Sequence, residues 1–312
     1  MSILSLVVAL LLPAVQAARE NARRGDCLNN LREIMQACGS HESAKHEFPY
    51  TAVQFFGTDN QMHPPCSPHE KLLPYLEQQA AYAEIDFNDL PLDLSVMPPT
   101  SFHNGGLIHL PLAVFRCPSD LRAPGANNYR ACMGYGPGIF TAAQSSICTD
   151  PGNGTGAFVN GRTVKPAEFL DGLSMTVMFS ERVVGSRGAY RPYSDYLVSV
   201  IDICTTADAV SICGSLPAGG PHDAYAGATW LFGGWRQTWY NHLLTPNSAT
   251  PDCNAGPVAA GGGRGAYTAR SYHPGGVNSA LADGSARFVS EGIDAAVWRA
   301  LSTRRGGEAI GL

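Results

Sequence analysis

At 312 residues the chain can hold one large domain or two small ones, and a net charge of -5 with only 15% charged residues leaves no basic surface for nucleic acid. Its 34 glycines and 22 prolines exceed the usual share and point to loops and short strands. Nine cysteines, at 27, 38, 66, 117, 132, 148, 204, 213 and 253, suit an oxidising envelope compartment, and their odd number leaves at least one thiol unpaired in a monomer.

The stretch Ile3 to Cys38 reads as one helix in two environments. Ile3, Leu4, Leu6, Val7, Val8 and Leu10 to Leu12 make its first half apolar on every side, as lipid or a protein interior requires. In the second half Leu28, Leu31, Ile34, Met35 and Cys38 recur at three- and four-residue steps, with charged residues on the other faces. Gly39 and Ser40 supply a stop, dividing a helix over 1–40 from a head over 41–312. Pro13 removes a backbone donor and predicts a kink. The apolar half is shorter than the roughly 20 residues that cross a bilayer. Read instead as a signal, it ends in a small-residue site at Val15-Gln16-Ala17 but has no positive charge before it. Cys27 and Cys38, about 16 Å apart on a continuous helix, lie beyond the roughly 7 Å that a disulfide spans.

His41 to Pro68 reads as a proline-rich loop. It leads into His63, Cys66 and His69, whose H-x2-C-x2-H spacing offers three zinc ligands, against the simpler account of polar residues on a loop. Leu72 to Gln79 opens a short helix with Pro74 in its first turn and Leu76, Ala80 and Ala83 turned inward. Leu112 to Cys117 and Thr176 to Ser180 read as strands. The glycines of residues 152–156 lack the Lys-Ser/Thr pair and following helix of a phosphate loop. Tyr196 to Cys204 and Ala209 to Cys213 read as two strands whose end cysteines could bridge across a hairpin, and Trp230, Trp235 and Trp239 as core aromatics.

Near the C-terminus, Asp283-Gly284 between two apolar runs predicts a hairpin with a type I′ turn and a positive φ at Gly284. Asp294 then caps a helix carrying Val297, Trp298 and Leu301. His273, just before the first strand, is expected to brace a neighbouring loop through one hydrogen bond worth about 1 kcal/mol. Neither G-x-S-x-G nor Cys-x-x-Cys occurs, so no hydrolase or redox motif is at hand. Asp171, Glu181 and Asp283 are carboxylates that a calcium ion would need to draw together. No cofactor is predicted, with zinc and calcium left open.

Several of these runs resemble a bacterial family with prepilin-type leaders, the "domain of unknown function 1559" family (DUF1559). They are Leu11 to Glu20, Cys27-Leu28-Asn29-Asn30-Leu31, the LLPYLEQ and FRCPSD phrases around Tyr75 and Cys117, the loop from Tyr240 to Cys253, and the terminal H-x9-DG from His273 to Asp283-Gly284. Members carry a G-F-T-L-x-E segment further upstream. This chain begins past that place, so either the true start lies upstream or this copy is not processed as a prepilin. The resemblance implies an α+β, pilin-like fold with a long N-terminal helix packed on an antiparallel β-sheet head with long loops. Pro13, Cys27, Cys117, His273, Asp283 and Gly284 are then structural positions. It implies a non-enzymatic subunit of a type II secretion or type IV pilus-like assembly, anchored in the inner membrane by its helix with the head outside the cytoplasm. Its partners would be the membrane, pilin-like subunits or the secretion machinery. The alternative is a secreted or periplasmic solute- or glycan-binding protein with a cleaved signal.

Overall fold

Helix α1 (Ile3–Lys45) runs unbroken through Pro13 and organises everything after it. The computed structural model describes residues 3–53, 55–56, 62–89, 103–120, 123–138, 154–255 and 263–308. On the second half of α1 the residues at three- and four-residue steps, Cys27, Leu31, Ile34, Met35 and Cys38, are all buried, while Leu28 is half-buried. Gly39-Ser40 does not stop the helix. Ala37, Cys38 and His41 are buried on either side of the pair, so tertiary packing overrides the weak propensity of two residues. The helix ends at Lys45, and His46 takes φ 61°.

Two short helices, α2 (Pro68–Leu72) and α3 (Gln79–Ala83), flank a 3-10 turn at Leu73–Tyr75, so the single helix expected from Leu72 is broken. Glu77 at φ 58° resets the register. Ala81 is buried, whereas Ala80 and Ala83 are exposed, contrary to the expected inward face.

Strands β1 (Phe55–Phe56) and β2 (Met62–His63) pair antiparallel by themselves. Strand β3 (Tyr129–Cys132) begins a five-stranded sheet with β4 (Val177–Glu181), β7 (Trp239–Tyr240), β10 (Gly276–Leu281) and β11 (Ala286–Ser290), in the order β11-β10-β4-β3-β7. Strands β11, β10, β4 and β3 pair antiparallel, as expected, but β7 joins β3 in parallel. The architecture is therefore α+β with a mixed sheet. Every residue of β3, β4 and β10 is buried. That is the sign of strands covered on both faces, and their polar members, Arg130, Ser180, Glu181, Asn278 and Ser279, are buried with the rest. Helix α1 lies against β10, β11 and a 3-10 turn at Ala113–Phe115. Leu112 to Cys117 is thus not a strand. A short apolar run does not declare its period, and here Phe115 turns into the core under α1.

A second sheet, ordered β6-β5-β8-β9, contains β5 (Tyr196–Ser199), β6 (His222–Asp223), β8 (Cys253–Ala255) and β9 (Arg264–Ala266). Helix α4 (Thr206–Ser215) packs on it where a second strand was expected. Thr205 and Asp208 form a reciprocal capping box that starts this helix. Cys213 is consequently bonded to Cys253, with Cα atoms 5.4 Å apart, and not to Cys204.

The Asp283-Gly284 hairpin forms between β10 and β11. Its turn is not type I′, because only Gly284 has positive φ, at 91°. Leu281 N–H donates to Ser285 O (2.8 Å) and Gly284 N–H to Leu281 O (3.0 Å). This is the three-residue loop in which a type I turn is followed by a left-handed glycine. Helix α5 (Ala295–Ala300) is capped by Asp294, whose carboxylate accepts from Ala296 N and Val297 N, and it buries Trp298 as expected. Trp230, Trp235 and Trp239 all lie in the core.

Candidate functional site

Glu20 and Cys27 sit seven residues apart on α1 and so share one face of two helical turns. Three segments of the head meet that face. Cys117 follows the 3-10 turn under α1 and is disulfide-bonded to Cys27, with Cα atoms 5.2 Å apart and a sequence separation of 90. Glu181 ends β4, and His273 stands just ahead of β10; both are buried.

The His273 ring is gripped at both nitrogens. Nδ1 lies 2.6 Å from Glu20 Oε1, and Nε2 lies 3.3 Å from Glu181 Oε1 and 3.4 Å from Cys117 Sγ. Arg23 donates to Glu20 Oε2 at 2.6 Å from the neighbouring turn of the helix. Glu181 is held in turn by Asn278, whose N–H donates to Oε2 at 2.7 Å and whose Nδ2 donates to Oε1 at 3.0 Å. Asn278 also reaches the Arg24 carbonyl (3.3 Å), and Asn30 donates from α1 to the Arg116 carbonyl (3.0 Å) and to the Tyr129 hydroxyl (3.1 Å).

Burial alone would push the imidazole pKa down, but hydrogen bonds and charge, first from Glu181 and then from Glu20, outweigh it and raise the ring above its ordinary 6.5. For Glu20, burial acts upward and is outweighed by the hydrogen bonds of His273 and Arg23, so its carboxyl titrates below 4.5. Both shifts favour the charged forms, an imidazolium facing carboxylates from the N-terminal helix and the central sheet. The His273 ring thus links α1 to β4, where the sequence led one to expect a hydrogen bond to a neighbouring loop.

The other motif residues do not join it. Asp283 and Gly284 lie at the far end of β10, roughly 17 Å away along a strand. Asp283 accepts from Ser285 N–H (2.9 Å) and Oγ (2.7 Å) within its own turn. Pro13 lies two helical turns before Glu20. The carboxylates weighed for calcium are dispersed, because Asp171 accepts from the amides of Gly306 (2.6 Å) and Gly307 (2.9 Å) while Glu181 belongs to the His273 cluster. The zinc spacing fares no better. His69 Nε2 lies 2.6 Å from the Tyr129 carbonyl and Cys66 Sγ 3.8 Å from that of Tyr50, each committed to a separate partner, and the side chain of His63 lies outside the described residues. At the glycine-rich residues 154–156, carbonyls of Gly154 and Gly156 accept from Arg304 (2.8 and 2.6 Å), so that loop receives a cation.

Glu20, Asn278 and Asn30 carry the joint, and the sequence reading did not single them out. The available signal was the shared face of Glu20 and Cys27; their partners are separated from them by 90 to more than 250 residues. A family model described as "Protein of unknown function (DUF1559)" matches residues 16–296. No curated protein and no solved structure matches the chain.

Proposed function

The chain belongs to the DUF1559 family, and from that premise we propose that it is a non-enzymatic, pilin-like subunit held at the cell envelope by its N-terminal helix. The observation that carries this reading is the division of α1. In its second half Cys27, Leu31, Ile34, Met35 and Cys38 are buried against the head, whereas Leu11, Leu12 and Val15 are 56%, 59% and 44% exposed. Exposed leucines and valine on one rigid helix need a partner surface, and a second copy of the same helix or lipid supplies one. Among the described residues no helix is long and apolar enough to cross a membrane. The proposal therefore assigns Leu11, Leu12 and Val15 to helix packing within an assembly at the membrane, with the head as the binding surface.

Site-directed cross-linking tests it. The free thiols Cys38, Cys66 and Cys132 are buried, so cysteines introduced by Leu12→Cys and Val15→Cys in intact cells report on the exposed end of α1. They should cross-link between copies, and Glu33→Cys, exposed on the docked half, should not. A mature chain found by N-terminal sequencing to begin after Ala17 would overturn the proposal in favour of a secreted solute- or glycan-binding protein.

A further inference from the structure

The joint between α1 and the head also has the composition of a metal site. The sulfurs of Cys27 and Cys117, a carboxylate oxygen of Glu181 and an imidazole nitrogen of His273 all lie within 4.8 Å of one another, and all four residues are buried. No other group of three or more such ligands occurs among the described residues. The outer contacts are those of a ligand set. Glu20 holds Nδ1 of His273 at 2.6 Å, which leaves Nε2 facing Cys117 and Glu181. A carboxylate on one ring nitrogen is how metal-binding histidines are fixed in tautomer and orientation. Asn278 likewise holds Glu181 at both oxygens, through its N–H on Oε2 and its Nδ2 on Oε1, and sets Oε1 beside the ring, 3.3 Å from Nε2.

We propose that when Cys27 and Cys117 are reduced these four residues close on one zinc ion, so that the helix is locked to the head by a disulfide in one redox state and by a metal in the other. Two thiolates, an imidazole and a carboxylate are a tetrahedral donor set that favours zinc. With zinc to sulfur at about 2.3 Å and to nitrogen or oxygen at about 2.0–2.1 Å, tetrahedral donors stand roughly 3.3–3.8 Å apart. The cluster thus needs to contract by about 1 Å while its two sulfurs separate. The chemistry balances with an external thiol as reductant. Two thiols supply two electrons and two protons, the bond between Cys27 and Cys117 breaks, and the reductant leaves as its own disulfide. Zinc then displaces the two cysteine protons and the Nε2 proton of the His273 imidazolium, giving a complex of net charge -1 whose neighbouring carboxylate, Glu20, is already paired with Arg23.

Cobalt(II) titration of the reduced, full-length chain tests this, with zinc as competitor. One equivalent should bind with a thiolate-to-cobalt charge-transfer band and tetrahedral ligand-field bands, and zinc should displace it. The oxidised chain should show neither band. Cys117→Ser and His273→Gln should each weaken binding at least about tenfold, and Glu20→Gln, which acts through the ring, by about 10–100-fold with the spectrum retained. Zinc should also raise the melting temperature of the reduced wild-type chain, which keeps the test decisive if Cys117→Ser fails to fold. The proposal is overturned if the reduced chain binds no stoichiometric cobalt, if binding is unchanged in His273→Gln, or if zinc leaves the reduced melting temperature where it was.

Discussion

His273 is more than one hydrogen bond. Because it is buried between two carboxylates, its removal strands Glu181, a buried acceptor whose remaining partner is Asn278. Hydrogen bonds to charged groups are worth about 1.5–3 kcal/mol each, and an uncompensated buried charge costs more. His273→Ala should therefore destabilise the protein by about 2–4 kcal/mol in denaturant unfolding, above the 1 kcal/mol expected of a single neutral bond. The pH dependence has a definite sign. The folded pKa of His273 is raised above 6.5, so its contribution is fully present below that value and fades as pH rises through the raised pKa. That of Glu20 is lowered below 4.5, so its contribution is present above that value and fades as pH falls. The joint is accordingly strongest between about pH 4.5 and 6.5, and in His273→Gln the alkaline decline of the melting temperature should be absent. Gly284 offers a different test at the same scale. A Cβ there meets nothing within 4 Å, so the cost of Gly284→Val is its φ of 91° alone, about 1–3 kcal/mol. Gly276→Val, whose Cβ would collide with the Val289 carbonyl, should cost more.

Between elements, the Cys27–Cys117 bond closes a long loop and fastens α1 at the middle of its length. Chain entropy puts its loss at up to about 4.5 kcal/mol for a loop of this size. Non-reduced peptide mapping should find Cys27–Cys117 and Cys213–Cys253, and a Cys27–Cys38 bridge would rule out the continuous helix. Elements whose determinants are local were legible in the sequence: the amphipathic half of α1, the glycine of the terminal hairpin, and the Asp294 cap of α5. Elements decided by distant contacts were not. Leu112 to Cys117 became a 3-10 turn because α1 covers Phe115, and Gly39-Ser40 stayed helical because Cys38 and His41 are packed. Helix α4 was legible in principle, since Thr205 and Asp208 spell its capping box, but the β-branched residues after them favoured a strand reading. The His273 joint was the least legible part, because Glu20, Glu181 and Asn278 come together only once three elements have packed.

Across the whole molecule, the two sheets are joined by a buried ionic contact as well as by apolar packing. Asp252, just before β8, lies 2.7 Å from Arg182 at the end of β4 and 3.0 Å from Arg270 on the way to β10. Asp252→Asn would leave two buried guanidinium groups without their counter-charge and should cost about 3–5 kcal/mol. The head then hangs on α1 through the Cys27–Cys117 bond and the Glu20–His273–Glu181 chain, and Leu11, Leu12 and Val15 of that helix stay outside the core. The most direct test of this account is a double-mutant cycle on Glu20→Gln and His273→Gln, read as unfolding free energy in the oxidised chain. A coupling of about 1–3 kcal/mol is the result predicted for two residues in one hydrogen-bonded charge network. Single effects that add to within about 0.5 kcal/mol would mean that the terminal histidine does not hold the N-terminal helix, and would contradict the account.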